Sequence, residues 1–466
     1  MMTKKTIVSA FALALTVAPA MAGGLLTNTN QNAAFLRNFA QEGTITLTSI
    51  YANPAGGAFL SNGWHLSLNS QTAIQSRDIQ TTFAGFTHNK ANPNATHNFE
   101  GNAKAPVIPS FTVSYNRDKW SLSAHGGLMG GGGKAEFPDG LGSLEAVVTQ
   151  KYLTAAQSKL IPGLVPALMQ KGLSQEQATT QATQMAMNYT YDMNAYMKGR
   201  SYFFGLQLGG TYKFRDNVAA YVGLRGVYAT CNYNGFVKAT VQSPALTAAG
   251  ASGQNNVELN CDQTGFGITP IIGVDWMINK HWNVSAKFEA PTKMSLKNET
   301  HPTDFSLLPQ FEDGKKVRED IPGILAFGAQ YRPIQTVRIS AGFHEYFDKG
   351  AKKFGNAQDK IDRNTWEVVV GGEYDACKLI TVSASYQRTK YGLSDAYMSD
   401  VSFNNSNHSI GFGVRLHPSK YFNVDLGYMH TFYEDRTVVT PTAIGPKTDV
   451  YSRKNNVFGI GFNFAL

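Results

Sequence analysis

The sequence predicts a transmembrane β-barrel of about fourteen antiparallel strands, preceded by a compact segment that is not a strand. Three observations lead to this fold class. Residues 458–466 alternate between large apolar and small or polar side chains. Connections along the chain alternate between short turns and long loops. No segment is an apolar run of about twenty residues, the length that a membrane-spanning helix needs.

The final segment carries its large apolar side chains at every second position, with glycine, asparagine and alanine between them: Phe458, Ile460, Phe462, Phe464 and Leu466. Successive side chains of a strand point to opposite faces, so one face here is apolar and the other is small or polar. This pattern is typical of a strand with lipid on its outer face and a polar lumen on its inner face.

The N-terminus has the pattern of a secretory signal peptide. Lys4 and Lys5 precede a short apolar run, and Ala20-Met21-Ala22 has the small-x-small form of a cleavage site. We therefore expect residues 1–22 to be removed and the mature chain to start at Gly23. Export together with a β-barrel predicts the outer membrane of a Gram-negative bacterial cell.

Residues 23–60 do not alternate. They contain a short helical stretch within residues 30–41 and a turn at residues 53–57. The barrel is predicted to occupy residues 61–466. Its first strand lies around residues 64–69 and its last covers 453–466, and the others form hairpins joined by short turns: 107–116 with 119–127, 201–214 with 218–231, 265–278 with 281–296, 321–332 with 336–347, 365–374 with 379–389, and 409–416 with 421–433.

One long loop has a helical composition. Residues 141–199 are rich in alanine, glutamine, leucine and methionine, and Pro162 and Pro166 interrupt the run. The turn and loop alternation places this segment outside the cell. The sequence leaves open whether it is a solvated cap or gathers ligand.

Composition and motifs restrict the function. The formal net charge is +8, and no lysine or arginine cluster is interleaved with aromatic residues, so nucleic-acid binding is not predicted. The mild positive balance suits an anionic lipid or ligand. No G-x-S-x-G, H-E-x-x-H or phosphate-binding glycine loop occurs. We predict no enzymatic activity, no cofactor and no metal site.

The three cysteines permit one disulfide, since an exported protein meets an oxidising compartment. Cys231 and Cys261 flank a loop at the ends of neighbouring predicted strands, where a disulfide could close the base of the loop. Cys377 is left over in a short turn.

Charged residues fall on the polar face of several predicted strands: Arg225, Lys287, Glu289, Arg338, Glu367, Glu373 and Arg415. Most are expected to neutralise one another in the lumen, while a few could hold the headgroup of a ligand.

The turn Asn53-Pro54-Ala55, directly ahead of the first strand, resembles the FadL/TodX family of outer-membrane transporters for long-chain fatty acids and other hydrophobic molecules. Residues 319–323, Tyr331-Arg332 and the aromatic last strand also resemble it. The resemblance spans the mature chain. It implies a monomeric fourteen-stranded barrel, surrounded by outer-membrane lipid and lipopolysaccharide. Its lumen would be plugged by an N-terminal hatch, residues 23–60, that contains Asn53, Pro54 and Ala55.

The resemblance also implies a route. Ligand binds a groove on the outer loops, moves to a site in the lumen, and leaves sideways after the hatch rearranges, through a gap made by a kink in the third strand. Glycines lie where that strand should weaken: Gly126, Gly127, Gly130 and Gly131. Uptake of this kind is passive.

The ligand contacts that the resemblance implies match in part. Arg363 aligns with a basic ligand-contacting position, whereas a second basic position on the fifth strand is replaced by Thr230, for which Arg225 could substitute. This departure leaves room for a neutral substrate. The outer groove would draw on hydrophobic residues that could equally pack the loops: Phe236, Leu246, Phe305, Leu307, Leu308 and Phe311.

Two other functions stay open. A porin-like or adhesin barrel would need no plug, and a porin would conduct ions openly. A barrel enzyme acting on lipid would need serine, histidine and an acidic or amide partner converging at the outer rim.

Overall fold

The computed structural model describes residues 25–27, 30–248, 254–301, 309–442 and 444–466. The predicted signal peptide lies outside these residues. The α-helices are α1 (Ala33–Arg37), α2 (Gly142–Ala155), α3 (Ile161–Met169), α4 (Gln175–Met187) and α5 (Pro244–Ala248). A π-helical turn covers Ala156–Leu160, and 3₁₀ turns cover Leu47–Ser49, Ala55–Phe59, Ala84–His88, Pro309–Phe311, Asp348–Gly350, Phe354–Lys360 and Asp395–Tyr397.

The strands form one antiparallel sheet that closes on itself. They are β1 (Gly63–Thr82), β2 (Thr96–Arg117), β3 (Trp120–Phe137), β4 (Thr190–Arg215), β5 (Val218–Gln242), β6 (Gln254–Met277), β7 (Trp282–Glu289), β8 (Ser295–Thr300), β9 (Lys316–Arg318), β10 (Ile324–Ile334), β11 (Val337–Tyr346), β12 (Thr365–Cys377), β13 (Ile380–Lys390), β14 (Asn407–Ser419), β15 (Phe422–Tyr433), β16 (Arg436–Thr442) and β17 (Gly445–Ala465). Closure comes from β1, which pairs with both β2 and β17.

The barrel wall has fourteen strands, which confirms the predicted fold class. β7 and β8 pair in succession with β6 and together form one wall strand. β9 and β16 belong to the loops, where they pair with β8 and β17. We call the end with short connections the turn end and the opposite end the loop end.

An apolar band surrounds the outside of the barrel near the turn end. On β4 and β5 it includes Phe204, Leu206, Val222 and Leu224, all exposed. Towards the loop end the outward side chains of β2, such as Asn98, are polar. Apolar groups are exposed where lipid would contact them, and polar groups where water would.

The closing strand has the predicted alternation. The side chain of Phe458 is 49% exposed on the outside, whereas Gly459 and Gly461 face the lumen. A Cβ added at Gly459 would lie 2.6 Å from Leu36 Cδ1 of α1. The small inward residues therefore allow the N-terminal segment to pack closely against the wall.

The helical prediction for residues 141–199 is wrong at its C-terminal end. β4 begins at Thr190 and pairs with β5 without a break from Thr190 to Lys213. Residues 190–199 therefore form a strand because they pair with β5, although their composition favours a helix. The prolines also fail to interrupt the helical run. Pro162 lies in the first turn of α3, where an N–H is not required, and Pro166 lies within that helix. β5 and β6 extend further than predicted as well.

The N-terminal segment lies inside the barrel. Residues 30–43 are buried, and α1 contacts β14, β15 and β17. We call residues 30–60 the hatch. Among the described residues, no helix is both long and apolar enough to cross a membrane.

Candidate functional site

The Asn53-Pro54-Ala55 turn fastens the hatch to the wall near the turn end. The Asn53 amide contacts the carboxylate of Asp275 on β6 and donates to the Thr44 carbonyl, 3.1 Å away. Its side-chain oxygen accepts from the Gly56 N–H at 3.1 Å, which stabilises the turn leading into the 3₁₀ helix. One buried amide thus organises the hatch and joins it to the barrel.

A second attachment is ionic. Arg37 at the end of α1 donates from Nε to Asp425 Oδ1 at 2.8 Å and from Nη1 to Ser383 Oγ at 2.8 Å, and it also pairs with Glu373. Arg415 forms two 2.8 Å bonds to the Asp425 carboxylate. The arginine of the hatch is therefore held by wall carboxylates that wall arginines also neutralise.

Further contacts of the hatch involve Glu42 and Tyr51. Glu42 of the hatch lies 2.7 Å from Nε2 of His344, whose Nδ1 lies 3.1 Å from Glu367. The ring of Tyr51 lies beneath two wall cations, with Arg225 5.0 Å and Lys287 4.9 Å from its centroid. Polar contacts thus hold the hatch on several sides of the lumen.

Arg225 does face the lumen, as predicted, but its charge is compensated. It donates to both carboxylate oxygens of Glu289, at 2.5 and 2.9 Å, and to Gln207 at 2.6 Å. Lys287 contacts the same carboxylate at 2.7 Å. These contacts account for the buried position of Arg225 without any bound ligand.

The wall is interrupted between β2 and β3. The two strands pair from Phe111 opposite Gly126 to the turn, and again at Asn102 opposite Glu136. Between these points, residues 103–110 and 127–135 form no pairs with each other. Pro106 and Pro109 lie in the unpaired part of β2, where a residue without an N–H is tolerated. We call this opening the wall gap.

Glycines shape the β3 side of the wall gap. Against β4, the register shifts between Leu128 and Gly130 and again between Gly130 and Gly133. Gly131 has a φ of +116°, and a Cβ there would lie 2.2 Å from the Ser201 carbonyl oxygen. The bulge thus requires glycine at this position. The kink lies within the segment that the sequence singled out at Gly126, Gly127, Gly130 and Gly131.

A cavity of about 1110 Å³ passes through the wall gap. On the lumen side it is lined by Tyr391 and Asn455, and at the gap by Pro109 and Gly127. Its outer lining includes Leu68, Phe111 and Leu206, which belong to the lipid-facing band. The cavity therefore joins the loop-end part of the lumen to the outer surface of the barrel.

The predicted ligand-binding residues do not converge. Arg363 is exposed in the loop before β12, where its N–H donates to the Gly392 carbonyl at 3.2 Å. Leu246 and Phe311 are 0% and 1% exposed and belong to the loop core. Phe236 faces the other side of β5 and stacks on Tyr196, with centroids 6.1 Å apart.

The predicted groove is therefore not formed by Phe236, Leu246 and Phe311 together. Alternation along β5 directs Phe236 away from the face that packs in the core. Phe305, Leu307 and Leu308 lie outside the described residues.

The disulfide prediction is wrong for this structure, in which Cys231 and Cys261 are free thiols. Cys231 is opposite Gln263, and Cys261 is opposite Tyr233, so the cysteines are two positions out of register. Diagonal neighbours in a sheet have Cβ atoms about 7 Å apart, beyond the roughly 4 Å of a disulfide. Cys377 is also free and exposed.

Sequence reasoning missed the hatch contacts of Arg37 and Glu42 and two basic residues of the cavity, Arg77 and Arg453. Arg77 lies beyond the predicted first strand, so its inward direction was not anticipated. Extending the alternation from His65 would have placed odd-numbered residues of β1 on the lumen side.

Comparison with solved structures gives matches over most of the chain. A Pseudomonas aeruginosa FadL homologue has a TM-score of 0.64 at 13% identity, covering 95% of this chain and 99% of that chain. The P. putida toluene transporter TodX has a TM-score of 0.55 at 13% identity, covering 90% and 94%. The Ralstonia pickettii toluene transporter TbuX has 0.52 at 13% identity, covering 91% and 97%.

The chain has the fold of these FadL and TodX structures. At such low identity the likeness concerns the fold alone. TodX and TbuX are both described as toluene transporters. No family model and no curated protein sequence matches this chain.

Proposed function

We propose that the protein is an outer-membrane channel for passive uptake of hydrophobic molecules. The observation that carries this proposal is the cavity that runs from the lumen through the wall gap to the lipid-facing band. A hydrophobic molecule following it would pass into the bilayer instead of crossing the polar, hatch-filled part of the lumen. The gradient of the molecule itself would drive its passage.

In this proposal the hatch closes the direct route. Asn53, Pro54 and Ala55 keep it fastened at the turn end, and the glycine bulge in β3 holds the wall open beside it. Arg363 is proposed as a first contact for an anionic ligand, since it is exposed at the loop end. TodX and TbuX are described as toluene transporters, which supports a hydrophobic substrate for this fold.

The porin-like alternative is less well supported, because the hatch occupies the part of the lumen that an open pore would need. The two functions differ in a simple measurement. A hatched channel in a planar bilayer should show little ion conductance, whereas a porin should show large and steady openings.

The uptake route is tested by filling the wall gap. A Cβ added at Gly127 lies 3.0 Å from Ser110 Cβ and 3.6 Å from Gln31 Cγ, so a side chain there enters the gap. We expect Gly127→Trp to slow uptake of a radiolabelled hydrophobic tracer by roughly an order of magnitude, because the ring occupies the passage.

The matched control is Gly372→Trp. Gly372 lies on β12, on the lipid-facing side of the wall away from the gap, and a Cβ there meets only the Arg338 carbonyl oxygen at 3.9 Å. This variant should keep the wild-type rate. Wild-type uptake by Gly127→Trp, with the barrel correctly folded, would exclude the wall gap as the route.

A further inference from the structure

Exposed cations at the turn end form a ring around the outside of the barrel. They lie at or next to five of the six short turns between paired wall strands: Arg117, Lys119, Arg215, Lys280, Lys378 and Lys420. We call these six residues the basic ring. The turn between β10 and β11 carries Arg332, which bonds instead to Gln330 on the lumen side, with Nε 3.0 Å from Oε1.

The charge of the basic ring is not compensated by the protein. None of its six residues forms an ion pair with a carboxylate among the described residues. Two aspartates lie at the same turns, Asp118 and Asp216, and the nearby Asp375 is already bound by Arg338. The turn end therefore presents an excess of positive charge to its surroundings.

The surface of the loop end has a different character, because cations and carboxylates are interspersed there. Lys238 Nζ lies 3.6 Å from Glu258 Oε1, and Arg436 Nη2 lies 2.7 Å from Asp395 Oδ1. Such pairs need no external anion. The contrast indicates that uncompensated positive charge belongs to the turn end and is not a general property of this surface.

The basic ring lies directly beyond a girdle of aromatic side chains. At four of its turns, exposed aromatic residues flank the cations: Trp120, Tyr212, Phe214, Trp276, Trp282 and Tyr421. Lys420 Nζ lies 4.7 Å from the centroid of the Tyr421 ring. Aromatic girdles mark the level at which acyl chains meet the lipid headgroups. One or two residues further along a strand, about 3–7 Å, is the level of the headgroup phosphates.

We propose that the basic ring binds the headgroup phosphates of anionic phospholipids in the leaflet at the turn end. Short turns of bacterial barrels lie on the periplasmic side, so this is the inner leaflet of the outer membrane. An exposed lysine or arginine near an anionic lipid surface contributes about a fivefold preference. The inference shares with the proposed function only the membrane location, and it concerns the lipid around the barrel instead of the molecule that passes through it.

Tryptophan fluorescence gives a local readout of the lipid at this level. Of the five tryptophans of the chain, Trp64, Trp120, Trp276 and Trp282 lie at the turn end. Trp366 lies on β12 towards the loop end, so Trp366→Phe confines the signal to the level of the basic ring.

The experiment uses the full chain with Trp366→Phe, reconstituted in phosphatidylcholine vesicles. Brominated phosphatidylglycerol or brominated phosphatidylcholine is titrated in, and each quenches indole fluorescence where it contacts the barrel. We expect about fivefold stronger association of the anionic lipid at low salt. The preference should disappear in 1 M salt, where the Debye length is about 3 Å.

The first variant replaces the basic ring with glutamine: Arg117→Gln, Lys119→Gln, Arg215→Gln, Lys280→Gln, Lys378→Gln and Lys420→Gln. It should associate equally with the two lipids. Replacements at exposed positions change stability little, and resistance of the unheated barrel to dodecyl sulfate checks that it is folded. A second variant exchanges lysine and arginine at the same six positions. It should keep the preference, because it keeps the charge.

The matched control removes cations from the loop end with Lys238→Gln, Lys315→Gln and Arg436→Gln, and it should keep the preference. Equal association of both lipids with the wild-type ring would overturn the proposal, and so would a preference that survives in the folded glutamine variant. Loss in the loop-end control would assign the preference to net charge and would also overturn it. Failure here is distinguishable from failure of the channel, since Gly127→Trp tests passage of a tracer independently of lipid headgroups.

Discussion

Two groups of arginines in the lumen differ in how their charge is compensated. Near the turn end, the cations Arg37, Arg225 and Arg415 are matched by carboxylates and the space is filled by the hatch. Near the loop end, Arg77 and Arg453 face each other beside an open cavity. The paired charges attach the hatch to the wall, whereas Arg77 and Arg453 form no ion pair with a carboxylate among the described residues. The contrast teaches that one barrel contains compensated and uncompensated cations at different depths.

The largest effect should come from breaking the ionic attachment of the hatch. Arg37→Met removes the hatch cation, while Arg415 and Arg338 still neutralise Asp425 and Glu373. The variant loses the hydrogen bonds of Arg37 to these two carboxylates, and hydrogen bonds to charged groups together should contribute about 3 kcal/mol. The free energy of opening at α1 should fall by about this amount, as measured by hydrogen exchange of its amides.

The control for Arg37→Met is Arg215→Met, which removes an exposed arginine at the turn end and should leave exchange at α1 unchanged. A double-mutant cycle with Asp425→Asn gives the coupling energy between the two side chains. A coupling near zero would show that packing of Phe35 and Leu36, rather than charge, holds α1 against the wall.

Local patterns predicted much of this architecture. The alternation from Phe458 to Leu466, the Asn53 turn and the glycine bulge in β3 each depend on a few consecutive residues. Such features can be recognised in the sequence alone. The strands were predicted too short at the loop end, because outside the lipid band both faces can be polar and the alternation of apolar residues fades.

The candidate site was harder to predict because it depends on register. Arg77 and Arg453 meet only because the first and last strands close the barrel, and Arg225 loses its free charge only because Glu289 lies within reach on another strand. The disulfide prediction is wrong for the same reason, because Cys231 and Cys261 lie on neighbouring strands but two residues out of register. Long-range pairing carries information that no short segment contains.

An intermediate effect is expected at the hatch turn. Asn53→Ala removes a donor from Asp275 and Thr44 and the acceptor of Gly56 N–H, all buried. Loss of such hydrogen bonds should lower the free energy of hatch opening by about 2 kcal/mol and alter uptake. Hydrogen exchange at residues 44–57 and tracer uptake measure the two consequences, and adding Pro54→Ala should enlarge both.

Asn62→Ala provides the matched comparison for Asn53→Ala. Asn62 also stabilises a turn, bonding to Asp118 at 2.9 and 3.1 Å, but both residues are exposed. Its replacement should change stability by less than about 0.5 kcal/mol. If both asparagine variants behaved alike, burial of the Asn53 amide would not be what fastens the hatch.

The smallest effect concerns the loop end, where a titratable contact holds α2 to the barrel. His97 Nδ1 lies 2.8 Å from Glu145 Oε2, and its Nε2 lies 2.9 Å from the Asn92 carbonyl oxygen. Both partners are acceptors, so both ring nitrogens donate and the imidazole is protonated. Burial disfavours this charge, but the bond to Glu145 and its negative charge outweigh burial and raise the pKa of His97.

Because the folded state raises this pKa, the contact is fully present below the ordinary histidine pKa of about 6.5 and is lost as pH rises through the raised value. The free energy of opening of α2 should then fall by about 1 kcal/mol. Hydrogen exchange of the α2 amides, corrected for the pH dependence of the intrinsic exchange rates, measures this change. His97→Gln should remove this pH dependence while α1 in the hatch keeps its protection. An unchanged pH profile in His97→Gln would assign the loosening to another group, while the hydrogen bonds of Glu145 to Asn89 and Tyr191 would still hold α2.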